Sequence, residues 1–327
     1  MLASYNFSIQ GRSHKKSEKP CQDNSAVVDI SPAWKCIIVA DGVGSCKNAE
    51  IASKTAVETV SDVIKKGFPE NGKDRDFQSL LLTAGHFAAN AIETYVQEND
   101  KGNQKEYHTT LAFALVSRQT AYYFSVGDSG IIALDEDSGE WKAVTQQDND
   151  PTGGVYTIFY RDHYKVGKLN FKPAAVLAVT DGIYNECFPQ ILSDEKYKCK
   201  VPFLNFLTTY ALGLSEEEEK EATEKQKENI VKYLESEESS HITDDLSVSA
   251  VICTDSCLEE TDIPYESPDW FAVFWKSLKT KPYSEEVKIK EFEKFIREYE
   301  PEFSEDEVKK FSEKYAENKP EEQQEGV

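Results

Sequence analysis

The stretch Lys35-Cys36-Ile37-Ile38-Val39-Ala40-Asp41-Gly42-Val43-Gly44 decides how this chain is read. An uninterrupted apolar run with β-branched residues, bounded by Pro32 before and Asp41-Gly42 after, predicts a buried strand that ends on an acidic turn. Moving outward, Ile51, Ala52, Thr55, Ala56, Val60 and Val63 recur at helical spacing. Phe77, Leu80, Leu81, Ala84, Ala88, Ala91, Ile92 and Tyr95 do the same, so two neighbouring amphipathic helices are expected over 49–66 and 77–97.

Strand-like runs follow at Thr110 to Val116 and Thr120 to Val126, joined by Ser117-Arg118-Gln119 as a hairpin. The second run stops at Gly127-Asp128-Ser129-Gly130, and Ile131 to Leu134 resumes after it. Residues 146–170, with Asp148-Asn149-Asp150-Pro151-Thr152-Gly153-Gly154, read as a flap rather than core. Ala174 to Val179 is a further buried strand running into Thr180-Asp181-Gly182, and Leu246 to Ile252 is an alternating strand preceded by Asp244-Asp245. Residues 215–240 form a Glu/Lys-rich helix opened by a capping box from Ser215 to Glu218. Beyond about residue 255 the composition shifts to helical stripes: Trp270, Phe271, Phe274, Trp275 and Leu278, then Phe292, Phe295, Ile296 and Tyr299. A third helix, capped by Ser304 and Glu307, carries Val308, Phe311 and Tyr315. The first stripe reads as the inner face of a helix docked on the core, with a partner-docking surface as the competing reading.

The chain has 327 residues and a formal charge of −22, with 39% hydrophobic and 11% aromatic residues. That content supports a sizeable core, and a charge so negative excludes nucleic acid as the main partner. No segment approaches the roughly 18 apolar residues of a membrane helix. The start, Met1-Leu2-Ala3-Ser4-Tyr5-Asn6, shows no signal peptide. Seven scattered cysteines, with Cys253 and Cys257 lacking a second pair at zinc-finger spacing, fit reduced thiols and a cytoplasmic location.

Aspartates recur where strands run out: Asp41, Asp128, Asp181 and Asp244. Four independent turns explain them as well as one shared site does. A shared site would gather like charges that need hard cations, Mg²⁺ or Mn²⁺, to stabilise them.

The order of the surrounding pieces resembles the metal-dependent serine/threonine protein phosphatases of the type 2C (PPM) family, bacterial-type branch. The matching residues are Gly11-Arg12-Ser13-His14, Cys21-Gln22-Asp23-Asn24, Val39-Ala40-Asp41-Gly42-Val43-Gly44, Thr109-Thr110-Leu111, Gly127-Asp128-Ser129, Val179-Thr180-Asp181-Gly182 and Asp244-Asp245-Leu246-Ser247. The resemblance implies an α+β fold: a central β-sandwich of two antiparallel sheets flanked by helix pairs (α-β-β-α). A phosphatase domain would span 1–254, with a helical appendage over 255–327.

It further implies that Asp41 bridges two cations, that the Gly42 carbonyl binds one, and that Asp181 and Asp244 complete the other. Asp128 would hold a weaker third and Asp23 would support the site. Gln22 stands where many relatives carry a metal-binding glutamate. A hydroxide shared by the cations would attack phosphoserine or phosphothreonine of a protein substrate. Arg12 and His14 are the candidate phosphate anchors. Val43 replaces the histidine that some relatives use on the leaving group, and His108 reads as a packing or substrate-side variation. The flap bases Arg161, His163, Lys165 and Lys168 would suit an acidic phosphopeptide. The alternatives are a catalytically weak module that binds phosphoproteins or regulates a partner kinase, and a hydrolase of small phosphoesters.

Overall fold

The apolar run around Ile38 forms β3 (Trp34–Asp41) of a computed structural model that describes residues 2–150, 154–188, 201–208, 216–255, 270–299 and 303–317. Its side chains alternate between two layers. Ile37 and Val39 pack with Val176, Ala178 and Val251 of a facing sheet, whereas Cys36, Ile38 and Ala40 pack with Ala52, Ala56, Val60 and Leu81 of a helix pair. A strand covered on both faces has no side exposed to water, hence the unbroken apolar run.

One five-stranded antiparallel sheet runs in the order β2 (Asp23–Ser31), β3, β4 (Leu111–Ser117), β5 (Ala121–Val126), β8 (Lys165–Lys168). The other runs β1 (Leu2–Ile9), β10 (Leu246–Cys253), β9 (Pro173–Val179), β6 (Gly130–Asp135), β7 (Trp141–Ala143). Helices α2 (Ala49–Gly67) and α3 (Asp74–Asn99) cover the first sheet. Phe113 and Phe124, fully buried beneath them, stack with centroids 4.8 Å apart, each contributing about 1.5–3 kcal/mol by burial. The second sheet carries the short α4 (Asp181–Cys187), then α5 (Val201–Thr208) and α6 (Glu216–Leu234). Tyr5 of β1 donates to the Leu207 carbonyl at 2.5 Å, tying β1 to α5. The expected α-β-β-α sandwich is therefore present.

Four strands were not legible: β1, β2, β7 and β8. β1 and β2 turn Asn6, Ser8 and Ser25 toward one another, with Asn6 Nδ2 donating to Ser25 Oγ at 3.2 Å and Ser8 Oγ 3.0 Å from Ser25 Oγ. Small polar groups satisfied across the sheet contact break the apolar alternation. Within the expected flap, Lys165–Lys168 is an edge strand paired with β5, so 146–170 is not loop throughout; Pro151, Thr152 and Gly153 lie outside the described residues. So do Ser215 of the expected capping box and cysteines 199 and 257. The five described cysteines, Cys21, Cys36, Cys46, Cys187 and Cys253, are unbridged.

The chain divides into two compact units, Met1–Cys187 with Lys200–Pro264, and Phe188–Cys199 with Tyr265–Val327. In the second, α7 (Trp270–Thr280), α8 (Glu285–Tyr299) and α9 (Glu305–Glu317) share an aromatic cluster. Phe274 stacks on Phe295 at 4.1 Å, and Phe271 meets Phe311 edge-on at 4.9 Å. The α7 stripe is thus covered by its own unit's helices; the side chains of Trp270 and Tyr299 are outside the description. Ser304 and Glu307 form the expected reciprocal cap of α9.

Candidate metal centre

Antiparallel pairing brings the strand-end aspartates to one end of the sandwich. Asp23 opens β2 directly opposite Asp41, the last residue of β3. Gly42 bridges Thr109 ahead of β4, and β5 leads into Asp128. In the facing sheet Val179, one residue before Thr180-Asp181, pairs with both Gly130 and Val248. The turn that holds Asp244 and Asp245 precedes the paired end of β10.

Hydroxyls lock these strand ends. The Thr110 N–H and the Thr109 hydroxyl both donate to the Asp41 carbonyl at 2.8 Å. Thr110 Oγ1 lies 2.7 Å from Ser129 Oγ, next to Asp128. Thr180 Oγ1 donates to Asp23 Oδ2 at 2.6 Å and accepts from the Ser247 N–H at 2.9 Å, linking the two sheets. The Gly42 N–H donates to the Gln22 carbonyl at 3.1 Å. A Cβ at Gly42 would lie 2.7 Å from that carbonyl oxygen, so only glycine fits the turn.

The electrostatics follow from this crowding. Asp23 is buried, Asp41, Asp128 and Asp181 are half-buried, and Asp244 faces solvent. Burial raises the Asp41 carboxyl well above its usual range although it keeps a solvent-facing edge, and the charges of Asp23, Asp181, Asp128 and Asp244 add to the effect. Burial and the neighbouring Asp128 and Asp244 push Asp181 up to about 7, and it shares a hydrogen bond with Asp41. Burial lifts Asp128 to about 6, with Asp244 contributing. Asp23 is raised by burial against the opposing hydrogen bond from Thr180. These are carboxylates whose charge the protein itself leaves uncompensated.

Two observations bear on whether cations fit. Asp23 Oδ1, Asp128 Oδ1 and Gln22 Oε1 are buried without a hydrogen-bond partner, and all three are hard oxygen donors suited to Mg²⁺ or Mn²⁺. Among the described residues no group of three or more His, Cys, Asp or Glu side chains already stands in ligating arrangement. The donor chemistry fits a divalent cation, and the four like charges stand near one another without enclosing a common point.

A family model for protein phosphatase 2C matches residues 10–235. The chain belongs to the protein phosphatase 2C family. Solved structures share the fold of this phosphatase 2C chain. The serine/threonine phosphatase Stp1 from Staphylococcus aureus superposes with a TM-score of 0.53 at 16% identity, over 77% of this chain and 95% of its own. The catalytic domain of the serine/threonine protein phosphatase PstP, in complex with two manganese ions, gives 0.54 at 15% identity, over 78% and 99%. The Mycobacterium tuberculosis phosphatase PstP/Ppp gives 0.52 at 16% identity, over 77% and 98%. No curated protein sequence matches the chain.

The remaining expected residues lie elsewhere or are already engaged. Arg12 opens the six-residue α1 (Arg12–Ser17), and its guanidinium donates to the Ser236 carbonyl at 2.5 Å, past the end of α6. His14 is buried with Nδ1 2.8 Å from Asp245 Oδ2. Each proposed phosphate anchor thus has a partner within the protein, Arg12 through Nη2 and His14 through Nδ1. His108 bonds Thr157 Oγ1 through Nδ1 at 2.9 Å and packs edge-on to Phe159, a structural tether for the flap. The flap bases are likewise occupied: Arg161 by Asn90, His163 and Lys165 by Asp148, and Lys168 by Asp74. Sequence reasoning passed over Asp245, Thr180 and the Thr109-Thr110 pair as supports, although each lay inside a quoted motif.

Proposed function

We propose that this chain is an active divalent-cation-dependent phosphatase of phosphoserine and phosphothreonine in proteins. The observation that carries it is the cluster of Asp23, Asp41, Asp128 and Asp181: neighbouring carboxylates raised by burial and mutual repulsion, with no cation among the groups that shift them. Asp41 would hold both of two cations, with the Gly42 carbonyl, Asp181 and Asp244 completing their shells, Asp23 in support and Asp128 on a weaker third. PstP, which shares the fold, carries two manganese ions, so Mn²⁺ is the first cation to test.

When bound, the cations supply Lewis acidity toward water and toward the phosphoryl oxygens. The chain contributes rigid placement. Thr109 and Thr110 fix the Asp41 backbone, and Thr180 occupies one oxygen of Asp23, leaving the other for a ligand. Asp128 and Asp181, whose protons are held unusually tightly, release them as cations bind, so affinity rises with pH. Val43 follows Asp41-Gly42, so the proton for the departing seryl or threonyl oxygen would come from water or from another group.

On this reading residues 1–254 form the catalytic domain and 255–327 a helical appendage. The unbridged cysteines support a cytoplasmic setting, and among the described residues no helix is long and apolar enough to cross a membrane. The test is turnover of a phosphothreonine peptide and of p-nitrophenyl phosphate by chelator-stripped protein, with and without Mn²⁺. Restored turnover is expected. Bound Mn²⁺ with no turnover would turn the reading to a phosphoprotein-binding module, and preference for sugar phosphates to a small-phosphoester hydrolase.

A further inference from the structure

Asp245, the neighbour of candidate ligand Asp244, is 3% exposed and takes three donors. Its Oδ1 accepts the Gly11 N–H at 2.6 Å; its Oδ2 accepts the Gln22 N–H at 2.5 Å and the His14 Nδ1–H at 2.8 Å. A carboxylate offers about four lone-pair sites, so Asp245 is committed to the chain itself. The Ser13 N–H adds a bond to the Thr243 carbonyl at 2.9 Å. Gly11 lies so close that a Cβ there would be 2.3 Å from the Asp244 carbonyl carbon. Three segments distant in sequence, 11–14, Gln22 and 243–245, therefore meet at one buried carboxylate. Two residues adjoining that point, Asp23 and Asp244, are candidate cation ligands on opposite sheets.

We propose that His14 and Asp245 are positioning residues that set the separation of Asp23 and Asp244 and so govern cation affinity. This rests on the catalytic reading given above. Asp245 reaches Asp23 through the Gln22 N–H and Asp244 through their shared peptide, while His14 fixes the orientation of the Asp245 carboxylate. Hydrogen bonds one layer outside a cation shell commonly change its affinity by about 10–100-fold. His14 thereby acts from Nδ1, through Asp245.

The experiment is calorimetric titration of Mn²⁺ into the chelator-stripped full chain, with p-nitrophenyl phosphate kinetics and a thermal melt. His14→Ala is expected to weaken Mn²⁺ binding by about 10–100-fold, with KM for p-nitrophenyl phosphate unchanged at saturating Mn²⁺. His14→Asn puts an amide N–H near the place of Nδ1 and restores most of the affinity, whereas His14→Gln puts it near Nε2 and does not. Wild-type affinity in His14→Ala, or a lowered melting temperature alone, overturns the inference and leaves the catalytic reading standing. Rescue by Gln instead of Asn also overturns it, because Nε2 is then the working atom. Wild-type protein that binds no Mn²⁺ overturns both.

Discussion

The two ends of the sandwich use the same residue type in opposite ways. At the far end from the candidate metal centre, where β4 turns into β5 and β6 and β10 stop, Asp135, Glu136 and Asp255 each have a cation. Arg118 grips Glu136 through both terminal nitrogens and Asp255 through Nε at 2.8 Å. Lys172 reaches Glu136 at 3.0 Å and Lys142 reaches Asp135 at 2.6 Å. The Arg118 hydrogen bonds hold Glu136 below its usual range, and the Lys142 bond lowers Asp135. At the metal-centre end Asp41, Asp128 and Asp181 are raised. Acids to which the protein gives a cation are architecture; acids that it crowds without one hold their protons tightly and stand ready for a charge it does not supply.

The largest expected effect is at the crowded end. Asp41→Asn and Asp181→Asn should each lower kcat of the Mn²⁺-loaded protein by at least about 100-fold, measured on p-nitrophenyl phosphate, while the cation-free protein melts no lower than wild type. Retained turnover in Asp41→Asn would break the comparison, because the carboxylate end would then be no more functional than the other.

Next comes the cation itself. Mn²⁺ at a hundredfold excess over its Kd should stabilise the fold by about 2.7 kcal/mol, roughly 5–10 °C in a domain of this size. The two ends should also titrate in opposite senses. Asp181 and Asp128, raised to about 7 and about 6 in the fold, favour the folded cation-free protein below the ordinary carboxylate range near pH 4. That contribution is lost as pH rises through 6 to 7. Glu136, lowered, contributes stability above its ordinary range that is lost on acidification. The Mn²⁺-induced shift in melting temperature should therefore be larger at pH 8 than at pH 5. An equal shift at both would mean that the aspartates carry no unusual proton load.

Asp128→Asn should act more weakly, reducing kcat about tenfold or less and raising the Mn²⁺ concentration needed for half-maximal turnover, since on the proposed reading Asp128 would serve a looser third cation. The smallest effect belongs to the paired end. Arg118→Ala should cost roughly 1 kcal/mol in a denaturant melt, as partly exposed ion pairs do, and leave kcat within about twofold. A large loss of activity there would show that the two ends are coupled.

How much of this was readable varies with how the residues are covered. The strands around Ile38 and Leu177 stood out because both faces of each are apolar, and α2 and α3 because one face is. β1 and β2 were hidden by serines and an asparagine whose partners lie on another strand. The aspartates Asp23, Asp41, Asp128, Asp181 and Asp244 were identified through the ordered resemblance, which spans most of the sandwich. Arg12 and His14 were assigned to phosphate by position alone, and the fold gives them bonds to Ser236 and Asp245 that no local pattern announces. Asp245 carried a signal, the doublet with Asp244, but nothing in a doublet says which carboxylate turns inward.

The sequence by itself settled the elements that local pattern dictates, and it marked which acids end a strand, because period and turn chemistry are properties of neighbours along the chain. Only the tertiary structure decided which charges meet, which hydrogen bonds consume a side chain, and which acids are left without a counter-charge, because those depend on contacts between residues as distant as Gly11 and Asp245.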